Sequence, residues 1–350
     1  MKEIKEGVEV LRVKTYMTAN EGFLKRTLDF MSFAVSAVWE GRKHTCDVIL
    51  SSSPPLFTCF AAYVLSIIKK KPWVLEIRDL WPESIKDVGI IKQGKIYSLL
   101  EKIELFFYRK ADKIVAVSPG YVKDLVDRGV PASKIACISN GPDIVEATQN
   151  NYPDAHIRKI TKIRESASIL VGYIGRLGMA HELEVLVETA KILEKDSIHF
   201  VFVGEGSEEE KLLALSKDYK LNNVHFLDAL PKNQLAHIYP NIDIGVVIQR
   251  EAPSFKKNIP SKLYDLSAAG LPLAVGVDGV TRELVEEFNC GLFFQPGDTQ
   301  ACADVIRKIA TQPELRKALT EGGKTLAEQF SRDNMAERMR QFLKNTVNPK

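Results

Sequence analysis

The chain has 350 residues, a net charge of +3 and 45% hydrophobic residues, a composition typical of globular proteins and long enough for two domains. Its five cysteines are scattered, which argues against a disulfide framework or a zinc site and favours a reducing, cytoplasmic compartment. Residues 1–150 carry 22 Lys and Arg against 18 Asp and Glu, so nothing resembles a basic nucleic-acid-binding face. The charged first residues do not resemble a secretory signal peptide.

Short β-branched runs alternate with amphipathic segments of helix length throughout the first half of the chain. The runs predict the strands Val8–Val13, Asp47–Leu50, Trp73–Ile77, Lys113–Val117 and Lys134–Ile138. The intervening segments predict helices, among them Gly22–Trp39, Gly94–Arg109 and Gly120–Arg128. Such alternation is typical of βα units, which form a parallel sheet covered by helices.

The most apolar stretch of the chain, Leu56–Ile68, precedes the three lysines of Lys69–Lys71. It is shorter than the roughly 20 residues that a membrane-spanning helix requires. It predicts a helix buried in an α/β domain, and peripheral contact with a membrane is the alternative. The mild positive charge of the first half fits an anionic membrane surface and ordinary surface charge equally well.

The second half repeats the alternation after a polar segment that contains Pro142 and Pro153. Its predicted strands are Ile169–Ile174, His199–Val203, Val224–Leu227, Ile242–Ile248, Leu273–Gly276 and Gly291–Phe294. We expect the polar segment to connect two α/β domains. The predicted organisation is an N-terminal domain over 1–148, a linker over 149–167, a second domain over 168–328, and a C-terminal helix over 329–350 that packs back onto the first domain.

Ligands of open parallel sheets bind beyond the carboxyl ends of the strands, so the residues that follow each predicted strand are candidate site residues. In the first half, Arg78, Asp79 and Trp81 directly follow the predicted strand Trp73–Ile77. They indicate an acceptor pocket. The alternative is a structural ion pair between Arg78 and Asp79 beside a tryptophan of the core.

Two glycine-rich turns follow predicted strands of the second half, and glycine lets a backbone approach a ligand closely. The candidate residues are Gly175 and Arg176 in the first turn and Gly204, Glu205 and Gly206 in the second. The Arg176 guanidinium offers a rigid fork of donors suited to phosphate oxygens. Neither turn has the Gly-X-Gly-X-X-Gly spacing of a dinucleotide site, which argues against a nicotinamide-dependent dehydrogenase.

Residues 258–272 predict a short helix whose start binds a phosphate. Pro260 presets the first turn, and we expect Ser261 to cap the first free amides. The helix start carries a partial positive charge, and Lys262 adds a full one. Asp265, one turn later, offers a carboxylate to ribose hydroxyls. The combination predicts a site for a nucleoside diphosphate.

A metal-dependent diphosphate clamp would lack its usual ligands in this chain. No Asp-X-Asp pair occurs, and the six histidines show no metal-ligand spacing, although His181 follows the Arg176 turn. We therefore expect Arg176 and Lys262 to neutralise a diphosphate directly, with no metal and no other cofactor.

Five stretches resemble the GT-B glycosyltransferases, specifically the family 4 enzymes that assemble bacterial surface polysaccharides such as lipopolysaccharide O-antigen, capsule and exopolysaccharide. The stretches are 76–84, 173–178, 203–206, 259–272 and 291–298, and the resemblance extends over almost the whole chain. It implies two Rossmann-like α/β domains. It also implies a retaining, metal-independent transfer of sugar from a nucleotide diphosphate, UDP above all, to a lipid-linked or oligosaccharide acceptor at the cytoplasmic side of the membrane.

The resemblance also implies roles for individual residues. Arg176 and Lys262 would hold the diphosphate, Asp265 the ribose, and the backbone of Asp228–Leu230 would lie beside the base. The remaining donor-binding residues would be Gly175, Gly204, Glu205, Gly206, Leu230 and Ser261.

The chain departs from the family pattern in two places. Members often have two glutamates eight positions apart around the donor, where this chain has Lys257 and Asp265. Members also usually begin with a strand and a glycine-rich loop, so we expect the N-terminal domain to be incomplete by roughly one βαβ unit. The alternatives are a nucleotide-binding remnant with little activity, one part of a split protein, and a UDP-sugar 2-epimerase of the same architecture.

Overall fold

The computed structural model describes residues 2–16, 22–142 and 152–348, and its strands and helices alternate along the chain. The strands are β1 Lys2–Lys5, β2 Val8–Leu11, β3 Ile49–Ser53, β4 Trp73–Ile77, β5 Lys113–Ala116, β6 Ile135–Cys137, β7 Ile169–Ile174, β8 Ile198–Val203, β9 Val224–Leu227, β10 Ile244–Ile248, β11 Leu273–Gly276 and β12 Gly291–Phe293. The helices are α1 Gly22–Gly41, α2 Leu56–Lys69, α3 Glu83–Asp87, α4 Lys95–Lys110, α5 Pro119–Asp127, α6 Asp154–Arg164, α7 Glu184–Ile192, α8 Glu209–Asp218, α9 Lys232–Leu235, α10 Ser261–Ala268, α11 Val280–Phe288, α12 Thr299–Thr311, α13 Pro313–Gln329 and α14 Arg332–Val347.

Four strands of the first half form a parallel sheet in the order β3-β4-β5-β6. The predicted strand Val8–Val13 is not part of it, which corrects the expectation of an uninterrupted βα alternation. Its residues Val8–Leu11 pair antiparallel with Lys2–Lys5 instead. The cause is a two-residue turn at Glu6 and Gly7, which have φ angles of 52° and 80° and so reverse the chain in a hairpin.

The second half forms a six-stranded parallel sheet in the order β9-β8-β7-β10-β11-β12. The chain starts in the middle at β7, builds outward to β9, and then crosses to β10 to build the other half. This is the order of a Rossmann-like fold, and it confirms the predicted α/β class. Every residue of β7 and of β10 is buried, because helices cover both faces of the sheet.

The alternating side chains of this sheet divide its core into two clusters. Val171, Phe200 and Val246 pack with Leu186 of α7 on one face. On the opposite face, a second set packs with helices α10 and α11; it includes Leu170, Val201, Val247, Leu263 and Val285. Helices α7 and α10 are therefore fixed to opposite faces of the sheet by apolar packing.

The chain divides into two compact units, one of Met1–Ile138 with Glu337–Lys350 and the other of Ser139–Ala336. The segment expected to be a linker contains helix α6, because Ile160 and Ile163 are buried in the core of the second unit. Helix α6 therefore occupies most of the segment 149–167 that was predicted to connect the two domains, and residues 149–151 lie outside the described residues. Near the C-terminus, Arg338 donates a hydrogen bond of 2.8 Å to the carbonyl oxygen of Cys137.

The apolar stretch Leu56–Ile68 lies in helix α2, which has one buried and one exposed face. Cys59 and Ala62 are buried, whereas Phe60, Ile67 and Ile68 are about half exposed. Within the residues that the structure describes, we find no helix with the length and apolar character to cross a membrane.

Candidate active site

The candidate site lies at the carboxyl ends of β7 and β8, beside the point where the strand order reverses between β7 and β10. The turns that follow β7 and β8 are joined backbone to backbone. The amide of Gly175 donates to the carbonyl of Val203 at 2.9 Å, and the amide of Leu177 donates to the carbonyl of Glu205 at 2.9 Å. The two predicted glycine-rich turns therefore form one structural unit.

Glycine is required where these turns touch. A Cβ atom on Gly204, which has φ of 155°, would lie 1.9 Å from the carbonyl oxygen of Gly175. A Cβ atom on Gly206 would lie 2.1 Å from the carbonyl oxygen of Leu177. Both distances are shorter than any side chain tolerates, so the glycines permit the close approach of the two backbones.

A cavity of about 630 Å³ opens over these turns, within the size range of small-molecule sites. It brings together six of the predicted donor-binding residues, namely Gly175, Arg176, Gly204, Glu205, Gly206 and Leu230. The side chains of Arg176 and Glu205 are exposed at its rim. The apolar side of the cavity is formed by Ala229, Leu230 and Leu235. Leu230 and its neighbour Ala229 were predicted from the sequence, whereas Leu235 was not.

Lys262 lies next to the first turn, in helix α10. Its Nζ atom is 3.3 Å from the position that a Cβ atom of Gly175 would occupy. It lies over the aromatic ring of Tyr173, 3.7 Å from the ring centre. The atom is buried, and it has no hydrogen-bond partner in the described part of the chain. Burial lowers the pKa of Lys262 to about 7.

A buried ammonium group without a partner is costly, because it loses its hydration and gains only the attraction of an aromatic face. Such groups are concentrated in functional sites, where a ligand supplies the missing partner. The arrangement therefore fits an anion that would be bound between Lys262 and the Gly175 turn. Tyr173 was not predicted as a site residue. Its position two residues before Gly175 is the signal in the sequence that could have indicated it.

The start of α10 differs from the prediction in one detail. Pro260 occupies the N-cap position with φ of −60° and ψ of 130°, and Ser261 is the first helical residue. No side chain caps the helix, so the expectation that Ser261 satisfies the first amides is wrong. A residue within the helix cannot adopt the extended backbone of an N-cap. The amide of Leu263 donates to the carbonyl oxygen of Pro260 at 2.9 Å, and no side chain caps the amides of Ser261 and Lys262.

Asp265, predicted to bind ribose, already has a cationic partner. Its Oδ2 atom is 3.2 Å from Nζ of Lys232, and its side chain is 17% exposed. Lys232 belongs to α9, whose last residue, Leu235, lines the cavity. No sequence pattern pointed to Lys232, because it lies 33 positions before Asp265 and the two residues meet only when helices α9 and α10 pack in the folded unit.

His181 lies close to the two predicted diphosphate-binding cations. Its Nδ1 atom is 3.3 Å from the carbonyl oxygen of Ile248, and its ring contacts Tyr173. Burial, and secondarily the charges of Lys262 and Arg176, lower the pKa of His181 to about 4. The imidazole is therefore neutral near pH 7 and adds no positive charge to the site.

The acceptor-side candidates belong to the other compact unit. Trp81 packs against the hydrophobic core, and the hydroxyl of Tyr121 donates to Oδ1 of Asp79 at 3.3 Å. Burial raises the pKa of the Asp79 carboxyl above its usual value. Arg78 is exposed, and the described residues include no ion pair between Arg78 and Asp79. This leaves Arg78 accessible and Asp79 held by Tyr121.

The same described residues contain no cluster of three or more His, Cys, Asp or Glu side chains arranged to hold a metal ion. Among the basic side chains, Arg176 lines the cavity, Lys262 lies beside its Gly175 turn, and Lys232 belongs to the helix that contributes Leu235.

Comparisons with known proteins agree with this geometry. The family model described as glycosyl transferases group 1 matches residues 155–326, and the model described as a glycosyl transferase 4-like domain matches residues 3–141. A Pseudomonas aeruginosa protein assigned as the glycosyltransferase WbjE is 23% identical over 283 residues, which are 80% of this chain and 70% of that protein.

A Salmonella typhimurium protein assigned to colanic acid biosynthesis as the glycosyltransferase WcaL is 21% identical over 74% of this chain and 66% of its own length. The chain spans only about half the length of some other curated relatives, 49% and 55% in two cases.

The crystal structure of HepE from Anabaena in complex with UDP and glucose has the same fold. It superposes with a TM-score of 0.72 at 16% identity, over 92% of this chain and 83% of that chain. The two family models together cover both units, and the GT-B architecture is shared with solved structures. The chain belongs to the family 4 glycosyltransferases.

Proposed function

We propose that this protein is a retaining glycosyltransferase that transfers a sugar from a UDP-sugar to a lipid-linked or oligosaccharide acceptor in the synthesis of a surface polysaccharide. The observation that carries the proposal is the buried Nζ atom of Lys262, which has no partner among the described residues and lies beside the Gly175 turn. The uncapped start of α10 and the exposed guanidinium of Arg176 supply further donors for an anion at the same place.

These groups suit the leaving group of a sugar transfer. When the bond between the anomeric carbon and the diphosphate breaks, its electron pair remains on the phosphate oxygen. Positive charges held at that position stabilise the transition state more than the ground state, and this difference is what accelerates the reaction. Arg176 and Lys262 would supply those charges in place of a metal ion.

Retention of the anomeric configuration requires attack from the face that the diphosphate leaves. The acceptor hydroxyl would then form its bond to the anomeric carbon while its proton passes to the departing phosphate oxygen. This route requires no separate general base. It requires instead that cations stabilise the negative charge of the leaving diphosphate, and Lys262 and Arg176 would do so.

On the acceptor side, we infer that Arg78, Asp79 and Trp81 bind the acceptor. Arg78 is exposed at the end of β4, and Asp79 is fixed by Tyr121. An exposed guanidinium is suited to a phosphate of a lipid-linked acceptor, and the fixed carboxylate is suited to sugar hydroxyls.

We also propose that the protein contacts an anionic membrane surface through helix α4, on the cytoplasmic side. Four apolar residues form an exposed stripe on this helix, with exposed fractions of 70% for Ile96, 58% for Leu99, 36% for Ile103 and 42% for Phe106. Three exposed basic residues, Lys95, Lys102 and Arg109, follow beside the stripe at intervals of seven residues. Such a combination is typical of helices that lie in the surface of an anionic bilayer.

The decisive experiment incubates the purified chain with UDP-glucose, UDP-galactose, UDP-N-acetylglucosamine and lipid-linked acceptors, and follows UDP release and product by mass spectrometry. We expect transfer, with the anomeric configuration of the product equal to that of the donor by NMR. Inversion would reject the retaining mechanism. UDP binding without transfer would favour the nucleotide-binding remnant, and conversion of the donor without acceptor would favour the epimerase.

A further inference from the structure

The ion pair between Asp265 and Lys232 involves helix α9, whose residue Leu235 lines the apolar side of the cavity. The two charged atoms are 3.2 Å apart, and the side chain of Lys232 is 42% exposed. Lys232 and Leu235 are three residues apart on the single turn of α9, so they share a face of the helix. Because Leu235 lines the cavity, we expect the pair to lie near the space that a nucleoside would fill.

Tyr239 gives a second indication of this location. Its ring packs in the same cluster as Leu230 and Leu235. Burial, and secondarily the negative charge of Asp265, raise the pKa of the Tyr239 phenol. The Asp265 carboxylate is therefore close to the group of side chains that form the apolar wall.

The chemistry of a ribose hydroxyl explains what such a pair could recognise. Each hydroxyl is at once a donor and an acceptor, whereas a carboxylate only accepts and an ammonium group only donates. A carboxylate alone would leave the hydroxyl oxygen without a donor. A carboxylate held at 3.2 Å from an ammonium group offers both partners to adjacent hydroxyls.

We propose that Lys232 is a specificity-determining residue of the nucleotide site, which forms with Asp265 a donor–acceptor pair that reads the ribose hydroxyls. The site then distinguishes ribonucleotides from their deoxy analogues through both residues, and not through the carboxylate alone. This inference rests on the proposed binding of UDP. It adds to that proposal a cation directed at the sugar of the nucleotide rather than at the diphosphate.

The test measures the affinities of UDP, 2′-deoxy-UDP and 3′-deoxy-UDP by calorimetry for the full chain and for Lys232→Met. The wild type should bind UDP about tenfold or more tightly than at least one deoxy analogue, because a site built for a hydroxyl is left unpaired without it. Lys232→Met should reduce this ratio to about threefold or less and weaken UDP binding by roughly five- to twentyfold.

Two further variants complete the design. Lys232→Arg keeps a cationic donor and should retain more of the discrimination than Lys232→Met. Lys211→Met is the matched control, because Lys211 is another partly exposed lysine of the same unit that pairs with carboxylates away from the cavity. It should leave all three affinities within about twofold of the wild type.

Three other results would reject the role of Lys232, and each has a different explanation. If Lys232→Met weakens UDP and both deoxy analogues by the same factor, Lys232 acts only as a general cation. If Asp265→Asn loses the discrimination and Lys232→Met retains it, the carboxylate alone reads the ribose. If the wild type binds no UDP, the proposed function itself is wrong, whereas UDP binding without any effect of Lys232→Met rejects only the role of Lys232.

Discussion

At the scale of single residues, the proposed binding of a diphosphate depends most on the side chain of Lys262. Its Nζ is removed from water, lies over the ring of Tyr173 and has no hydrogen-bond partner in the described chain. An arrangement of this kind costs stability in the free protein and is stabilised when an anion binds. Its effects on folding and on binding should therefore be opposite.

Replacing Lys262 with methionine tests whether the charge weakens folding and strengthens binding. Methionine keeps most of the length of the buried side chain and removes its charge. Since a charge-assisted hydrogen bond contributes about 1.5–3 kcal/mol, UDP binding should weaken roughly 10- to 150-fold in calorimetry. Thermal unfolding of the free variant should occur at the same or a higher temperature. Lys262→Ala should also lose UDP binding, and an unchanged affinity in either variant would reject the assignment.

The lowered pKa of Lys262 predicts a pH dependence of nucleotide binding. In the free protein the group loses its proton near pH 7, and a bound diphosphate favours the charged form. Affinity should therefore be fully present below about pH 7 and decline by up to about tenfold for each unit above it.

Calorimetry at pH 8 in buffers of different ionisation enthalpy should reveal proton uptake on binding of UDP. The uptake should be absent in Lys262→Met, whose affinity should also vary less between pH 7 and pH 9. Equal pH profiles in the two proteins would contradict the assignment of the titration to this lysine.

At the scale of secondary-structure elements, the site depends on two loops whose backbones are in contact. Hydrogen bonds join the turn after β7 to the turn after β8. The two backbones are so close that neither Gly204 nor Gly206 has room for a Cβ atom. The sequence predicted that the glycines of these turns let the backbone approach a ligand closely. In the structure, Gly204 and Gly206 also let two neighbouring strand ends approach each other, which is a property of the sheet.

Gly204→Ala should therefore destabilise the second unit. The added Cβ atom would lie 1.9 Å from the carbonyl oxygen of Gly175, so the loops must separate. A loss of about 2–3 kcal/mol is expected, seen as a thermal transition roughly 5–10 °C lower. Gly178→Ala is the control in the same region, because its Cβ atom would lie 3.7 Å from the nearest atom, and it should change the transition little.

Membrane contact through helix α4 can be tested by changing its exposed apolar and basic residues. Leu99→Glu places a charge in the middle of the exposed apolar stripe and should reduce binding to phosphatidylglycerol vesicles in a sedimentation assay. Lys102→Glu should reduce it as well, through the loss of attraction to the anionic surface. Val126→Glu, at an exposed position of α5, should bind as the wild type does.

The wild type should bind vesicles of phosphatidylcholine only weakly, because these lack the negative charge that the basic residues of α4 require. Equal sedimentation of the wild type and both α4 variants with anionic vesicles would contradict membrane contact through this helix.

At the scale of the whole molecule, the proposed chemistry dispenses with a metal ion. In this proposal Arg176 and Lys262 would provide the positive charge for the diphosphate, and the chain contains no Asp-X-Asp pair. Sugar transfer should therefore proceed at the same rate, within about twofold, after treatment with EDTA and after addition of Mg²⁺ or Mn²⁺. A loss of turnover with EDTA that added metal restores would show that cationic side chains are insufficient.

Much of the architecture could be predicted from the sequence because local patterns dictate it. Fully apolar runs such as Ile169–Ile174 and Ile244–Ile248 are buried on both faces of a parallel sheet, and amphipathic segments cover them. The hairpin at β1 and β2 was not predicted, since the positive φ angles of Glu6 and Gly7 override the tendency of Val8–Leu11 to join the larger sheet. Helix α6 was missed because its few apolar residues form only a weak pattern.

The sequence by itself determined the class of the fold, the family of the protein and the residue types that suit a diphosphate, because these follow from periodicity and from motifs within short segments. Only the tertiary structure decided which charges are free and which are paired. It buries Nζ of Lys262 over Tyr173 and brings Lys232 to Asp265, since residues distant in the chain meet only when β7, β9 and β10 assemble into one sheet. Burial and pairing control the energy of a charge, and both are properties of the assembled fold.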